Sequence, residues 1–311
     1  MHMPKRPIAF IKEYKTSRAE WVHVERNSEK EKRLLGERYH FHQVDLQEIL
    51  PPLQRPKVVV REGYIFMILL FPVFDPDTRV ISTAEVDFFI SPDRLVTVCG
   101  SKLPAFGSVF EVLSQKTRKI QSANVTHVLH SILDALLESL FPMLIHISRD
   151  IDDVEKGLFE DKQRGVIMEL LRIKTNIVNI RKAMQGHKKA IRMLMATGTT
   201  ILPINRMEDY YNQLVDYTKE IWDTLEVQRE TINALHETHS SLIDSRTNDI
   251  MKTLTIFSVM IFPATLIATL FAMRVNGIPW IDDPSGFYYV IGLLIALGAG
   301  MLGFFKYKKW I

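Results

Sequence analysis

The sequence predicts an α/β domain, then long helices, then two transmembrane helices at the C-terminus. Three observations support this order. Short β-rich runs separated by turn residues occupy residues 1–120, and helical periodicity replaces them in residues 121–250. Two apolar runs, each of roughly twenty residues, complete the chain, and this is the length that an α-helix needs to cross the hydrocarbon core of a bilayer.

The composition argues against several functional classes. The formal net charge of the 311 residues is only +3, so nucleic acid is not a predicted partner. The single cysteine, Cys99, rules out an intrachain disulfide and a cysteine-rich metal site. No nucleophile with a base, glycine-rich phosphate loop or acid/base carboxylate pair is recognisable, so neither an enzyme nor an organic cofactor is predicted.

Residues 1–120 form the predicted cytosolic α/β domain, built on a small mixed sheet. Turn chemistry such as Asp75-Pro76-Asp77 separates the strands, and a short helix at Asp45–Leu50 is stopped by Pro51-Pro52. The predicted strands are Ile8–Ile11, Trp21–Val24, Val58–Val60, Tyr64–Phe74, Val86–Ile90 and Leu95–Val98.

Residues 121–203 form a predicted antiparallel helical hairpin. Its two helices span roughly Asn124–Lys162 and Gly165–Thr197, with apolar residues at spacings of three and four. The connection Lys162–Gly165 is short, which favours antiparallel packing, and a break over residues 198–203 ends the second helix.

Residues 204–250 form a predicted stalk helix that begins near Asn205 and meets no proline until Pro263. One side of it carries a heptad-like seam: Leu214, Tyr217, Ile221, Leu225, Gln228, Ile232, Leu235, His239 and Leu242. A helix from Asn205 to Met273 would be roughly 100 Å long and unstable alone. Symmetric oligomerisation about a membrane axis is the economical way to supply partners for it.

The C-terminal part divides into a first transmembrane helix at residues 251–273, a loop at 274–286, a second transmembrane helix at 287–306 and a basic tail at 307–311. Lysines and arginines concentrate before the first transmembrane helix and after the second, at Arg246, Lys252, Lys306, Lys308 and Lys309. By the positive-inside rule, both termini lie in the cytoplasm of a multi-pass protein of the cytoplasmic membrane.

Continuing the seam into the first transmembrane helix predicts one stripe of six residues, four of which carry a hydroxyl: Met251, Thr255, Ser258, Phe262, Thr265 and Thr269. In one interpretation the hydroxyls satisfy backbone carbonyls or mediate helix packing. In the other, which the long soluble helix favours, they line a conduit with Phe262 as a hydrophobic constriction. Such a lining suits hydrated divalent ions, because Mg²⁺ gives up its water reluctantly.

Over nearly its whole length the chain resembles the CorA-type family of magnesium and cobalt transporters. The resemblance rests on Asp45–Leu50 followed by Gln54–Lys57, on Leu95–Val98, on Asp223–Glu226 and on Asn248–Lys252, together with Pro263 and the lysine-rich tail. It implies a homopentameric funnel in membrane lipid that carries divalent metal ions, with the first transmembrane helix lining the pore. It also implies that Mg²⁺ is transported and regulatory.

The sequence departs from the family at the outer end of the first transmembrane helix. Family members carry Gly-Met-Asn there, whereas this chain has Ala272-Met273-Arg274, followed by Asn276. A pentamer would place five guanidinium groups at the mouth. Each would repel a divalent ion by roughly 1 kcal/mol at about 8 Å in water, before screening by salt. The predicted ion pathway runs from Asn248 and Met251 along the stripe to Ala272, Met273, Arg274 and Asn276.

Three consequences of this departure are open. Arg274 turns outward and pairs with Asp282 or Asp283, which leaves its carbonyl or Asn276 to meet the ion. Alternatively, the pore has changed selectivity, even toward anions. In the third case the pentamer no longer conducts and has a regulatory or scaffolding role. By resemblance, acidic residues between protomers act as cytosolic Mg²⁺ sensors, for which Asp209, Asp216 and Glu237 are the candidates.

Overall fold

A computed structural model of the chain describes residues 10–115, 121–158, 163–199, 201–273, 279, 285–308 and 310. The chain divides into two compact units, Met1–Leu235 and His236–Ile311. The first unit holds the sheet and most of the described helices, and the second holds the C-terminal part of the helix Glu208–Ala272 together with the helix Gly286–Tyr307.

The first unit is built on a six-stranded mixed sheet. The strands are β1 (Ile11–Lys15), β2 (Glu20–Val24), β3 (Lys57–Arg61), β4 (Tyr64–Asp75), β5 (Val80–Ile90) and β6 (Arg94–Val98). Their order in the sheet is β1-β2-β6-β5-β4-β3, and β2 with β6 is the parallel pair, with Trp21 opposite Leu95. The predicted mixed sheet is confirmed.

Two strands differ from their predicted bounds by more than one residue at an end. The first begins at Ile11, where the prediction ends, and residues 8 and 9 lie outside the described residues. Strand β5 begins at Val80, six residues earlier than predicted, because Val80–Glu85 pairs with the second half of β4. The polar residues Ser82 and Thr83 hid this extension in the sequence.

Three helices flank the sheet strands in the chain: α1 (Glu29–Tyr39), α2 (Gln43–Glu48) and α3 (Pro104–Ser114). The sequence predicts only α2, two residues later than it lies. Helix α1 was missed because its sequence, Glu-Lys-Glu-Lys-Arg-Leu-Leu-Gly-Glu-Arg-Tyr, buries few of its residues and carries a weak apolar pattern.

In the described part of residues 121–203, four helices with given bounds replace the two that the sequence predicts. They are α4 (Val125–Glu138), α5 (Leu140–Leu158), α6 (Gln163–Met184) and α7 (His187–Gly198). The first break lies at Ser139 and the second at Gly186, whose φ of 110° is accessible to glycine but rarely to other residues. Helices α5 and α6 pack against each other, as expected for a hairpin.

A short 3₁₀ turn, Ile204–Met207, precedes helix α8 (Glu208–Ala272), and helix α9 (Gly286–Tyr307) follows. Helix α8 begins in the first unit and ends in the second. Pro263 lies inside it without ending it, as membrane helices tolerate.

Both sides of the sheet are covered, because strand residues alternate between two apolar clusters. On one side Phe66, Ile68 and Phe89 pack with Leu35 of α1 and Leu46 of α2. On the other side Ile65, Met67 and Phe88 join the larger cluster formed with helices α3–α7. Burial at Cys99 raises the pKa of its thiol to about 12, which agrees with an inert cysteine.

The stalk seam is covered by helices of the same chain, which corrects the argument for oligomerisation drawn from it. Leu214, Ile221 and Leu225 belong to the same core as Leu144 and Ile147 of α5. The seam glutamine Gln228 donates from Nε2 to the carbonyl of Leu144 at 2.8 Å and to Ser148 Oγ at 2.9 Å. The seam therefore needs no second copy of the chain in the first unit.

Three helical segments of the described chain are long and apolar enough to cross a membrane: Val125–Leu158, Ile204–Ala272 and Gly286–Tyr307. Only the last two were predicted from the sequence to contain transmembrane helices. In the first segment 44% of the most apolar window is buried inside the protein, where Leu129, Leu133 and Leu137 pack in the core. In the other two segments that fraction is zero. The first is therefore a core helix pair.

Candidate functional site

Helix α8 has two chemically different sides between residues 251 and 272. Half-buried apolar residues recur at spacings of three and four, at Ile256, Met260, Ala264, Ile267 and Phe271. At 100° per residue, the predicted stripe from Met251 to Thr269 lies on the opposite side. The residues of this opposite side are exposed except Ser258, which is half-buried.

Helix α9 borders the same region of the second unit. Its half-buried residues Val290, Leu294, Leu297 and Met301 also recur at spacings of three and four. A cavity of about 500 Å³ is lined by both helices, with Val259 on α8 and Leu297 on α9 among its residues. The lining of this cavity is mostly apolar, and Thr255, at the start of the stripe, is its one hydroxyl residue among those described.

The four hydroxyls of the stripe all donate to carbonyls of their own helix. Thr255 donates to Met251 at 2.7 Å, Ser258 to Leu254 at 2.9 Å, Thr265 to Ile261 at 2.8 Å and Thr269 to Leu266 at 2.9 Å. The first of the two sequence interpretations, satisfaction of backbone carbonyls, is therefore present in the structure.

That bonding also decides what each hydroxyl can offer to a ligand. A hydroxyl has one hydrogen and two acceptor lone pairs. Since the hydrogen is donated to a carbonyl of the same helix, the hydroxyl oxygen can only accept hydrogen bonds from, or coordinate, groups outside the helix. Metal ions bind oxygen lone pairs, and the water molecules around a hydrated cation donate hydrogen bonds. The stripe is thus suited to cations and their hydration shells.

Phe262 lies between Ser258 and Thr265 on this side, with 71% of its surface exposed. Met251 and Met273 are also exposed at the two ends of the stripe, as are Asn248 and Ala272. Arg274 and Asn276 lie outside the described residues.

Carboxylates precede the stripe on the same side of α8 within the second unit. Glu237, Asp244 and Met251 are each seven residues apart, which is close to two full turns. Both carboxylates are exposed. The same seven-residue period continues back along the chain through Glu230, Asp223, Asp216 and Asp209, all exposed within the first unit. We call these six residues the acidic ladder.

The stripe therefore does not continue the buried seam, which corrects the sequence prediction. Leu242, the last seam residue, precedes Met251 by nine residues, or two and a half turns, so the two lie on opposite sides of the helix. The residues that continue the seam are the half-buried apolar ones.

The acidic ladder includes Asp209, Asp216 and Glu237, the three predicted regulatory residues. Across the described ranges, no group of three or more histidine, cysteine, aspartate or glutamate side chains could hold a metal ion within one chain. Within one chain the structure does not bring the three together, and they share only the seven-residue period along α8.

A cavity of about 600 Å³ lies beside the start of the stripe. Its lining combines Asp244 and Asn248 with Thr255 and Trp310, and it includes Asp249 and Lys252, whose side chains form an ion pair at 3.2 Å. Asp244 and Asp249 were not predicted to accompany the stripe. Asp244 lies one turn before Asn248 and two turns before Met251, and this spacing is the signal that would have found it. Asp249 directly follows Asn248, so helical spacing does not group it with the stripe.

Comparisons with known proteins identify the family of the chain. The family described as "CorA-like Mg2+ transporter protein" matches residues 17–309. "Cobalt/magnesium transport protein CorA" of Thermotoga maritima is 26% identical over 281 residues, which cover 89% of this chain and 79% of that protein. The protein of the same name from Methanocaldococcus jannaschii is 24% identical over 86% of this chain and 83% of its own length.

A solved structure has the same fold. It is titled "The complete structure of CorA magnesium transporter from Methanocaldococcus jannaschii" and matches with a TM-score of 0.84 at 21% identity. The match covers 96% of this chain and 93% of that one. The likeness therefore includes the sheet, the long helix and the C-terminal apolar helices.

Proposed function

Because the chain belongs to the CorA-like Mg²⁺ transporter family, we propose that it carries divalent metal cations, Mg²⁺ above all and Co²⁺ as a second candidate, through a membrane along the hydroxyl stripe of α8. The ions would move down their electrochemical gradient.

The stripe is the observation that carries this proposal. Its four hydroxyl oxygens are held as acceptors by their bonds to helix carbonyls, on the side opposite the half-buried apolar residues. Weak neutral oxygen ligands suit an ion that must enter and leave quickly. They also suit Mg²⁺ that keeps its water, since the hydration shell donates to them. Phe262, in the middle of the stripe, would serve as a constriction that gates by dewetting.

One stripe cannot enclose an ion, so the proposal requires several copies of α8 around an axis. We adopt the homopentamer that the family resemblance implies, with α8 lining the pore and α9 facing membrane lipid. The exposure of Leu266 on α8 and of Phe287 and Ile295 on α9 supports this, because apolar side chains on such helices need lipid or another protein around them.

The orientation follows from charge. Lys306 and Lys308 end the second apolar helix, while Arg246 and Lys252 precede the first. The positive-inside rule then places both termini in the cytoplasm and the protein in the cytoplasmic membrane.

In this arrangement the acidic ladder would surround the cytoplasmic approach to the pore. Five copies of Glu237 and Asp244 would attract divalent cations and repel anions, which argues for a cation pathway. Asp209, Asp216 and Glu237 are retained as candidate Mg²⁺ ligands between protomers, where carboxylates of two chains could meet one ion.

Purified protein in liposomes loaded with a Mg²⁺-sensitive dye tests the proposal. We expect Mg²⁺ influx above that of empty vesicles at a physiological gradient. Influx equal to that of empty vesicles, from protein shown by its mass in detergent to be a pentamer, would favour the scaffolding role and reject transport.

The stripe itself is tested by removing hydroxyls without changing side-chain shape. Thr265→Val and Ser258→Ala should each lower the flux severalfold. Thr253→Val is the matched control, because Thr253 also donates to a helix carbonyl, of Asp249 at 2.9 Å, but lies about half a turn away from the stripe. Equal effects of Thr265→Val and Thr253→Val would mean that the hydroxyls act on helix structure and not on the ion.

A further inference from the structure

The first unit contains a basic cavity that the transport proposal does not use. Its volume is about 610 Å³, within the range of small-molecule sites, and it lies between the α6–α7 turn and helix α8. The cavity is lined by Met184, Gln185, Gly186, Lys188, Lys189, Arg192, Thr218, Lys219, Trp222 and Asp223. Four of these residues carry a positive charge and one a negative charge.

The four basic side chains have uncommitted charges. In the described part of the chain, Lys188, Lys189, Arg192 and Lys219 have no carboxylate oxygen within ion-pair distance, although Arg181 and Arg229 nearby both pair with Glu226. The surplus of three positive charges in one concave site would attract an anion of several charges. A single chloride or carboxylate would leave most of this charge unmatched.

Trp222 provides a different kind of surface in the same cavity. The guanidinium carbon of Arg181 lies 4.5 Å from its ring centroid, and the ion pair with Glu226 holds Arg181 there. The indole keeps 37% of its surface exposed. One face is thus supported from within the protein, and the exposed part can stack with a planar group.

The backbone at the start of α7 adds donors beside the lysines. Gly186 provides no side-chain cap, and the first helical bond runs from Ala190 to the carbonyl of Gly186 at 2.8 Å. The amides of the three residues between them therefore have no acceptor within the helix. Phosphate groups are common ligands of such amides when basic side chains lie alongside.

We propose that this cavity binds a nucleoside di- or triphosphate, with the base stacked on Trp222 and the phosphates held by Lys188, Lys189, Arg192 and Lys219. Inorganic polyphosphate could bind the same four basic side chains, but it has no base to stack on Trp222. Stacking on Trp222 therefore distinguishes the two ligands. The inference does not rest on transport, so binding and flux can fail independently.

The test is calorimetric titration of the full-length protein in detergent with ATP, in EDTA and at physiological salt. Inorganic tripolyphosphate and adenosine are titrated in parallel. We expect ATP to bind most tightly and tripolyphosphate roughly tenfold more weakly. Trp222→Leu should remove that difference by weakening ATP alone, since base stacking on an aromatic ring is worth about tenfold or more.

Charge reversal identifies the phosphate contacts. Lys188→Glu should weaken ATP at least tenfold, whereas Lys182→Glu, an exposed lysine outside the cavity, should change the affinity less than threefold. Equal losses in the two variants would show that only net charge matters and would overturn the proposal. So would the absence of ATP binding at millimolar concentration, or a Trp222→Leu protein that still prefers ATP to tripolyphosphate.

Discussion

The two units of this chain treat the same residue types in opposite ways. Phe66, Phe88 and Phe89 in the first unit have no exposed surface, while Phe262 and Phe287 in the second unit are about 70% exposed. The first unit satisfies its apolar side chains with its own helices and strands. The second exposes apolar side chains that this one chain does not cover, as is expected of membrane-spanning helices.

Polar groups show the same contrast. Asp87 in strand β5 is buried beside Glu85, and burial together with the charge of Glu85 raises the pKa of Asp87 well above its usual range. Burial also raises the pKa of Glu85, although the backbone amide of Gln54 donates to it. In the second unit the polar groups of the stripe are exposed, except Ser258, which is half-buried. Burying a charged carboxyl group lowers the stability of the fold, whereas the exposed hydroxyl oxygens of the stripe are available to a ligand.

The largest expected effect comes from a core phenylalanine. Phe89→Ala should lower the free energy of unfolding of the first unit by about 3–5 kcal/mol, since Phe89 stacks on Phe41 with ring centroids 4.2 Å apart. Faster hydrogen exchange of β4 and β5, measured by mass spectrometry on the full chain, reports the loss. Phe262→Ala is the control, and comparable deprotection by both would break the contrast between the units.

A charge in the second apolar helix should have the next largest effect. Ile295→Arg should cost about 2.5–3.5 kcal/mol of membrane insertion, because Ile295 is exposed at mid-helix. Val112→Arg, at an exposed position of α3, should be tolerated. The fraction of each protein that stays in membranes after a carbonate wash distinguishes them, and full retention of Ile295→Arg would place that side of α9 away from lipid.

Arg274 stands where members of the family have the asparagine of Gly-Met-Asn. Replacing it tests whether its charge repels cations at the mouth of the proposed pore. Five guanidinium groups, each contributing about 1 kcal/mol before a two- to threefold reduction by salt, sum to roughly 2 kcal/mol. Arg274→Asn should therefore raise Mg²⁺ flux in liposomes roughly thirtyfold. Lys308→Asn should leave the flux within twofold. An unchanged rate for Arg274→Asn would indicate that Arg274 points away from the ion, as pairing with Asp282 or Asp283 would require.

The smallest effect is a change in the pH dependence of the first unit. The pKa of Asp87 is higher in the folded than in the unfolded state, so protonation of Asp87 favours the folded state. This contribution to stability is complete below the unfolded pKa and is lost as pH rises through the folded pKa. Between these two values, stability should fall by up to about 1.4 kcal/mol per pH unit. Asp87→Asn should flatten this slope in urea titrations at several pH values, and the exposed Asp77→Asn should preserve it. A wild-type slope of zero would mean that Asp87 is not the titrating group.

Several parts of the fold were predictable because their signals are local. The strands Trp21–Val24 and Tyr64–Phe74 combine β-branched or aromatic residues with flanking turns, and the apolar runs at the C-terminus are long enough to need no tertiary support. The break at Gly186 was missed because a single glycine within a helical pattern is usually tolerated. Helix α1 was missed because its apolar pattern is weak.

The stripe was predicted as a continuation of the stalk seam, but the two lie on opposite sides of α8. Met251, Thr255, Ser258, Phe262, Thr265 and Thr269 do share one side of α8, because helical spacing alone groups them. Their register relative to Leu242 was counted wrongly. Only the burial of the seam by α5 and the half-burial of Ile256 and Met260 revealed which side is which.

By itself, the sequence determined the chain's classes of structure: a mixed sheet, long helices, and two apolar helices bounded by lysines. Composition and periodicity are local properties of the sequence, so they predict helices and strands without knowledge of the tertiary fold. The tertiary structure decided which apolar surfaces are already satisfied, that Val125–Leu158 is core, that the seam is covered by its own chain, and that Lys188, Lys219 and Trp222 line one cavity. These facts depend on contacts between residues far apart in the chain, which no local pattern encodes.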